Sequence, residues 1–129
     1  LGTQKQKAYE EGIQKIQTQI DNISGLDIVK DGHKAYLQSK MNELGNRLKS
    51  VASGDFSNFQ LVNSVSGMTK QVASDPIIQN AVASTAKFRK EQSNMEADIK
   101  EGKSSPENQW DFNINANNWF QSDDLKEGF

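Results

Sequence analysis

Tyr9-Glu10-Glu11-Gly12-Ile13-Gln14-Lys15-Ile16-Gln17-Thr18-Gln19-Ile20-Asp21-Asn22-Ile23 is the stretch that decides the fold. Its apolar residues Tyr9, Ile13, Ile16, Ile20 and Ile23 recur at spacings of 4, 3, 4 and 3. That period puts all five on one narrow face of a helix, with Gln, Lys, Glu and Thr on the other. The helix is expected over about 3–24. Ser24-Gly25 supplies a stop, Gly25 being able to take the left-handed cap conformation. Gly12 costs such a helix roughly 1 kcal/mol relative to Ala, and either permits close approach of a neighbour or is simply tolerated.

The same period returns downstream. After the short apolar connector Leu26 to Val29, Asp31 is a candidate N-cap, and Leu37, Met41, Leu44, Leu48 and Val51 repeat the 4, 3, 4, 3 spacing as far as Ser53-Gly54. Two such seams joined by a short connector predict an antiparallel helical hairpin over 3–24 and 31–53. A third helix is expected over 57–73, with Asp55 or Ser57 as its cap and Phe59, Val62, Val65, Met68 or Thr69, and Val72 on one face, Gly67 weakening it. Asp75-Pro76 opens a fourth over 76–101, since Asp caps free N–H groups and Pro misses no donor at the first helical position. Its stripe reads Ile77, Ala81, Thr85, Phe88, Gln92, Met95 and Ile99, more polar and so more exposed toward the end.

Beyond the linker at Gly102–Pro106 the composition changes. Ser105-Pro106-Glu107 could start another short helix, but helical periodicity is not evident after it. Five of the ten aromatic residues (Trp110, Phe112, Trp119, Phe120 and Phe129) lie in the last twenty positions, among Asn113, Asn115, Asn117 and Asn118. Residues 1–103 carry 14 basic and 12 acidic side chains, a net +2, whereas 104–129 carry 1 and 5, a net −4. The expected organisation is therefore all-α: a helical domain over 1–103, then an irregular, aromatic, acidic docking tail over 104–129. An aromatic buries ~150–250 Å² when docked. The five rings thus either fold back onto the helices or bind a partner, and all five are taken as candidate partner-binding residues. Likewise the ten seam residues either pack within one bundle or gain cover from neighbouring subunits. A hydrophobic content of 34% and a mean hydropathy of −0.77 favour some contribution from neighbours.

Composition also narrows the chemistry. Cys is absent, which removes disulfides and thiolate sites. A net charge of −2 supplies no global basic field for nucleic acid or anionic membrane, and no apolar run approaches ~18 residues. His33 is the only histidine and is read as a solvated or capping residue of the connector. No calcium-loop spacing links Asp27, Asp31 and Asp55. Adjacent carboxylates at Glu10-Glu11 and Asp123-Asp124 do not face a shared substrate on a helix. Lys87, Arg89 and Lys90 form a basic cluster without interleaved aromatics, read as a solvated helix face rather than a phosphate site. Neither a phosphate-cradling Gly loop nor a nucleophile elbow is present. No catalytic, cofactor-binding or metal-binding residue is assigned, and the chain is expected not to be an enzyme.

Several strings resemble virion proteins of crAss-like bacteriophages and related tailed phages. They are Tyr9 to Gln17, Asp27-Ile28-Val29-Lys30-Asp31, Ala35 to Leu44, Gly54-Asp55-Phe56-Ser57-Asn58-Phe59-Gln60-Leu61, Pro76 to Val82, and Ser104 to Trp110. The likeness covers most of the chain and carries no catalytic motif. It implies an ordered part of a larger internal, cargo or tail-associated protein. Such a part would sit in the capsid interior, portal or tail, in several copies, against portal, tail-barrel or ring proteins. Leu1 in place of Met and the abrupt Phe129 are expected for a processed or partly ordered polypeptide. The competing expectations are a tail-associated cell-wall hydrolase segment and an assembly chaperone or scaffold.

Overall fold

A computed structural model describes residues 2–54 and 59–129. The chain is all-α: five helices and no strand among the described residues. These are α1 (Gly2–Ser24), α2 (Asp31–Ala52), α3 (Phe59–Ala73), α4 (Pro76–Lys100) and α5 (Pro106–Gln121). They divide into two compact units, Leu1–Leu26 with Tyr36–Asp75, and Asp27–Ala35 with Pro76–Phe129. The boundary expected at 103/104 falls inside the second unit, because α4 and the C-terminal segment pack together there. The candidate α3 caps Asp55 and Ser57 lie outside the described residues.

The first unit is a three-helix core. Tyr9, Ile16 and Ile20 of α1, Leu44, Leu48 and Val51 of α2, and Val62 and Val65 of α3 form one buried cluster, with Ile13, Met41, Met68 and Val72 packed against it. Ile23 and Leu37 are buried as well. Each such side chain contributes about 1.5–3 kcal/mol when fully buried, so the two heptad seams dominate the attraction. The Tyr9 hydroxyl, near the start of α1, donates to the Val51 carbonyl at the end of α2, which sets these helices antiparallel. Gly12 lets α1 pack closely on α3: a Cβ there would lie 2.8 Å from Val62 Cγ1.

At one end of this unit the Tyr36 hydroxyl donates to the Asp75 carboxylate. That hydrogen bond, then desolvation, then the nearby negative charge push the phenol up to about 12. The folded value lies above the unfolded one. Its stabilising contribution is therefore complete below pH 10 and disappears as pH rises through about 12. Ultraviolet phenolate titration is expected to show Tyr36 ionising late, and Asp75→Asn to bring that transition back toward the ordinary value. A Tyr36 titration unmoved by Asp75→Asn would contradict this pairing.

The second unit contains α4, α5, residues 27–30, the first turn of α2 and residues 122–129. On α4, Ile78, Ala81, Ser84, Thr85 and Phe88 are buried. The expected anchor Ile77 is only half-buried; the stripe starts one position later, a rotation of about 100°. Further along, Gln92 and Met95 are half-buried and Ile99 is exposed, following the polar drift of the stripe.

Three local expectations are corrected. Residues 106–121 are a 16-residue helix, not an irregular segment. Ser105 caps it by accepting from the Asn108 N–H, and Pro106 occupies the first turn. Asp31 is not the α2 cap: the Lys30 carbonyl accepts from the Lys34 N–H, placing Lys30 at that position and Asp31 just inside. Gly25 does not turn left-handed; among the described residues only Gly102 has positive φ, at 70°. There the Gly102 N–H reaches the Ile99 carbonyl and the Lys103 N–H the Asp98 carbonyl, the paired bonds of a Schellman stop after α4.

Candidate functional site

The most densely built polar site lies in the second unit and holds residues 122–129. It begins in the stretch Asp27 to Val29. The Thr85 hydroxyl accepts from the Val29 N–H at 3.1 Å while donating to the Ala81 carbonyl at 2.7 Å. Arg89 makes a two-pronged ion pair with Asp27, at 2.6 and 2.8 Å. The guanidinium hydrogen bond holds the Asp27 carboxyl below its usual range, and Arg89 is raised in return. Both partners are more than half exposed, so the pair orients this stretch more than it stabilises it. These contacts fix the backbone so that Lys30 and His33, one helical turn apart, both become fully buried.

The last eight residues supply what those two side chains need. Lys30 Nζ donates to the Asp124 carbonyl at 3.3 Å and lies 5.4 Å from the centre of the Trp119 ring. His33 Nε2 is 2.8 Å from the Leu125 carbonyl. A carbonyl only accepts, so the ring proton is on Nε2. His33 Nδ1 is buried with no hydrogen-bond partner. Asn80 Nδ2 donates to the Leu125 and Glu127 carbonyls, and Trp119 Nε1 also donates to Glu127. Ser84 Oγ accepts from the Phe129 N–H and donates to Asn80 Oδ1. Side chains of Lys30, His33, Asn80 and Trp119 thus grip three consecutive or near-consecutive backbone carbonyls. Gly32 leaves room for the one aliphatic anchor: a Cβ there would lie 2.9 Å from Leu125 Cδ2.

Around this clamp the aromatic residues gather on Phe88. Phe112 stacks on it at 5.9 Å, and Phe120 and Phe129 meet it edge-on at 5.2 and 5.4 Å. Trp119 packs on Phe120, Phe129 and His33 and is buried. Of the five aromatic residues taken as partner-binding, Phe112, Trp119, Phe120 and Phe129 are therefore brought together inside the chain. Trp110 stands apart and is 66% exposed. No family model, curated protein or solved structure matches the chain.

His33 corrects the reading of a solvated or capping connector residue: it is buried in the first turn of α2 and its Nε2 meets the distant Leu125 carbonyl. Lys30, Asn80 and Ser84 were not singled out by sequence. One signal for them exists. Asn80 and Ser84 are spaced i, i+4 beside the small residues Ala81 and Thr85, a helical face on which another backbone can lie closely. Lys87, Arg89 and Lys90 are exposed, with Arg89 committed to Asp27. Among the described residues no group of three or more His, Cys, Asp or Glu is placed to hold a metal ion. No described helix is long and apolar enough to cross a membrane.

Proposed function

We propose that the chain is a non-catalytic, architectural part of a tailed-phage particle, docking through α5 onto a neighbouring virion protein of the portal or tail-barrel kind. The observation that carries docking is Trp110. It is 66% exposed on a helix whose other large aromatics are all drawn into the core, and Ile114, one turn on, is 40% exposed. These two share a face by their i, i+4 spacing. An indole left in water beside an aliphatic neighbour, rimmed by Glu107 and Asp111, has the composition of an interface anchor. The placement in a virion is supported by the string resemblance to crAss-like phage proteins.

Comparison of two single variants tests this reading. Trp110→Ala is expected to keep the far-ultraviolet dichroism of the parent and to lower its copy number in purified particles at least tenfold. Trp119→Ala is expected to lose stability first, because its indole is buried and hydrogen-bonded to Glu127. Wild-type occupancy of Trp110→Ala would remove the docking role. Absence of the parent chain from purified particles would remove the virion placement.

A further inference from the structure

We propose that the groove between α4 and α5 is a binding site for a neutral sugar ring. A cleft of about 440 Å³ opens there within the second unit, inside the size range of small-molecule sites. Phe112 and Phe129, both half-buried, supply its apolar surface; Lys87 and Glu91 line it from α4, and Asn115 and Asn118 from α5. Lys87 and Glu91 are one turn apart yet form no ion pair, and none of these four polar side chains has a partner among the described residues. Asparagine is among the poorer helix formers, and here no hydrogen bond within the chain offsets that cost. Trp119 and Glu127 also line the cleft but are already committed, the indole to the Glu127 carbonyl and the carboxylate to the Ser122 hydroxyl.

The uncommitted groups select the ligand. Each asparagine amide offers donors and an acceptor, Lys87 donors only and Glu91 acceptors only. A hydroxyl both donates and accepts, so a rim of adjacent hydroxyls satisfies this mixed set. One lysine against the carboxylates of Glu91 and Glu127 leaves the cleft with no positive excess, which disfavours phosphates and sugar acids. The Phe112 and Phe129 rings stand at 85° with centroids 6.1 Å apart, so they form a corner and not the parallel slot that would sandwich a flat base. A puckered ring suits a corner: the C–H groups of a sugar meet the electron-rich face of an aromatic ring while its hydroxyls turn to the polar walls. This reading is independent of docking at Trp110, which lines no part of the cleft.

The test follows the side-chain amide resonances of Asn115 and Asn118 in the isotope-labelled chain. The probes are glucose, galactose and N-acetylglucosamine, each up to about 100 mM, since so small a ligand binds an open cleft at millimolar strength. At least one is expected to shift both signals saturably. Repeating the titration with its methyl glycoside tells a glycan end, which binds equally, from a free sugar, which the added methyl weakens; saturable binding of either form supports the site. Asn115→Ala and Asn118→Ala, each followed through the remaining asparagine, are expected to weaken that sugar at least about tenfold. Their melting temperatures are expected to stay level or rise, because Ala is the better helix former. Asn113→Ala and Asn117→Ala, on α5 but outside the cleft, are expected to leave the affinity unchanged. Absence of a saturable shift with all three sugars would overturn the proposal, as would tighter binding of adenosine monophosphate or of triglycine than of any sugar. Unchanged affinity in both cleft variants would place the sugar elsewhere and overturn it too.

Discussion

Removing residues 122–129 is expected to unfold the second unit while the three-helix core of the first remains. Deletion removes the acceptors of four donors. Lys30 and His33, fully buried with the segment in place, lose the Asp124 and Leu125 carbonyls; Asn80 loses Leu125 and Glu127, and Trp119 loses Glu127. Leaving one buried neutral donor unsatisfied costs about 1–3 kcal/mol, and more for a charged one. The sum, with the lost burial of Leu125 and Phe129, is about 5 kcal/mol or more, comparable to the whole stability of a small domain. Replacing Lys30 by Met in the truncated chain is expected to recover part of the loss, because it removes the ammonium while keeping the length of the side chain. Urea unfolding followed by Trp119 fluorescence, in a Trp110→Phe background, reports the second unit. A truncated chain with an unchanged midpoint would show that the clamp contributes little.

The second large effect is expected at Gly12. A leucine there forces its Cβ to within 2.8 Å of Val62 Cγ1, a buried and branched side chain with little freedom to yield. Overpacking of this kind costs about 1–3 kcal/mol, against which the better helix propensity of Leu returns something under about 1 kcal/mol. Gly12→Leu is therefore expected to destabilise the first unit by about 2 kcal/mol. Val62→Ala removes the colliding methyl, so the double variant is expected to lose less than the sum of the singles, with coupling of at least about 0.5 kcal/mol. Additive losses in a thermal-unfolding cycle would mean that α1 and α3 separate without resistance at this point.

The first unit was legible because its information is periodic and apolar. Tyr9 to Ile23 and Leu37 to Val51 keep a single spacing, and the structure buries or half-buries all ten residues. The second unit was legible only in outline. On α5 the inward face is Phe112, Ala116 and Trp119, again at spacings of 4 and 3, but Ala116 is a weak apolar signal and four asparagines interrupt the pattern. The clamp was harder still. Its determinants are a lysine, a histidine, an asparagine and a serine, residue types whose ordinary place is in water. Each is buried because a backbone carbonyl or N–H, distant in sequence, arrives to satisfy it. Lys30 and His33 are more than ninety positions from their acceptors, a separation no local pattern encodes.

The order of segments in the two units has a consequence for synthesis. The first unit is interrupted by Asp27–Ala35, yet all of its chain has been made once Asp75 leaves the ribosome. The inserted stretch belongs to the unit completed later, and its Lys30 and His33 have no partners until 122–129 emerge. Vectorial folding therefore leaves this nested stretch without its distant partners until residues 122–129 have also been made.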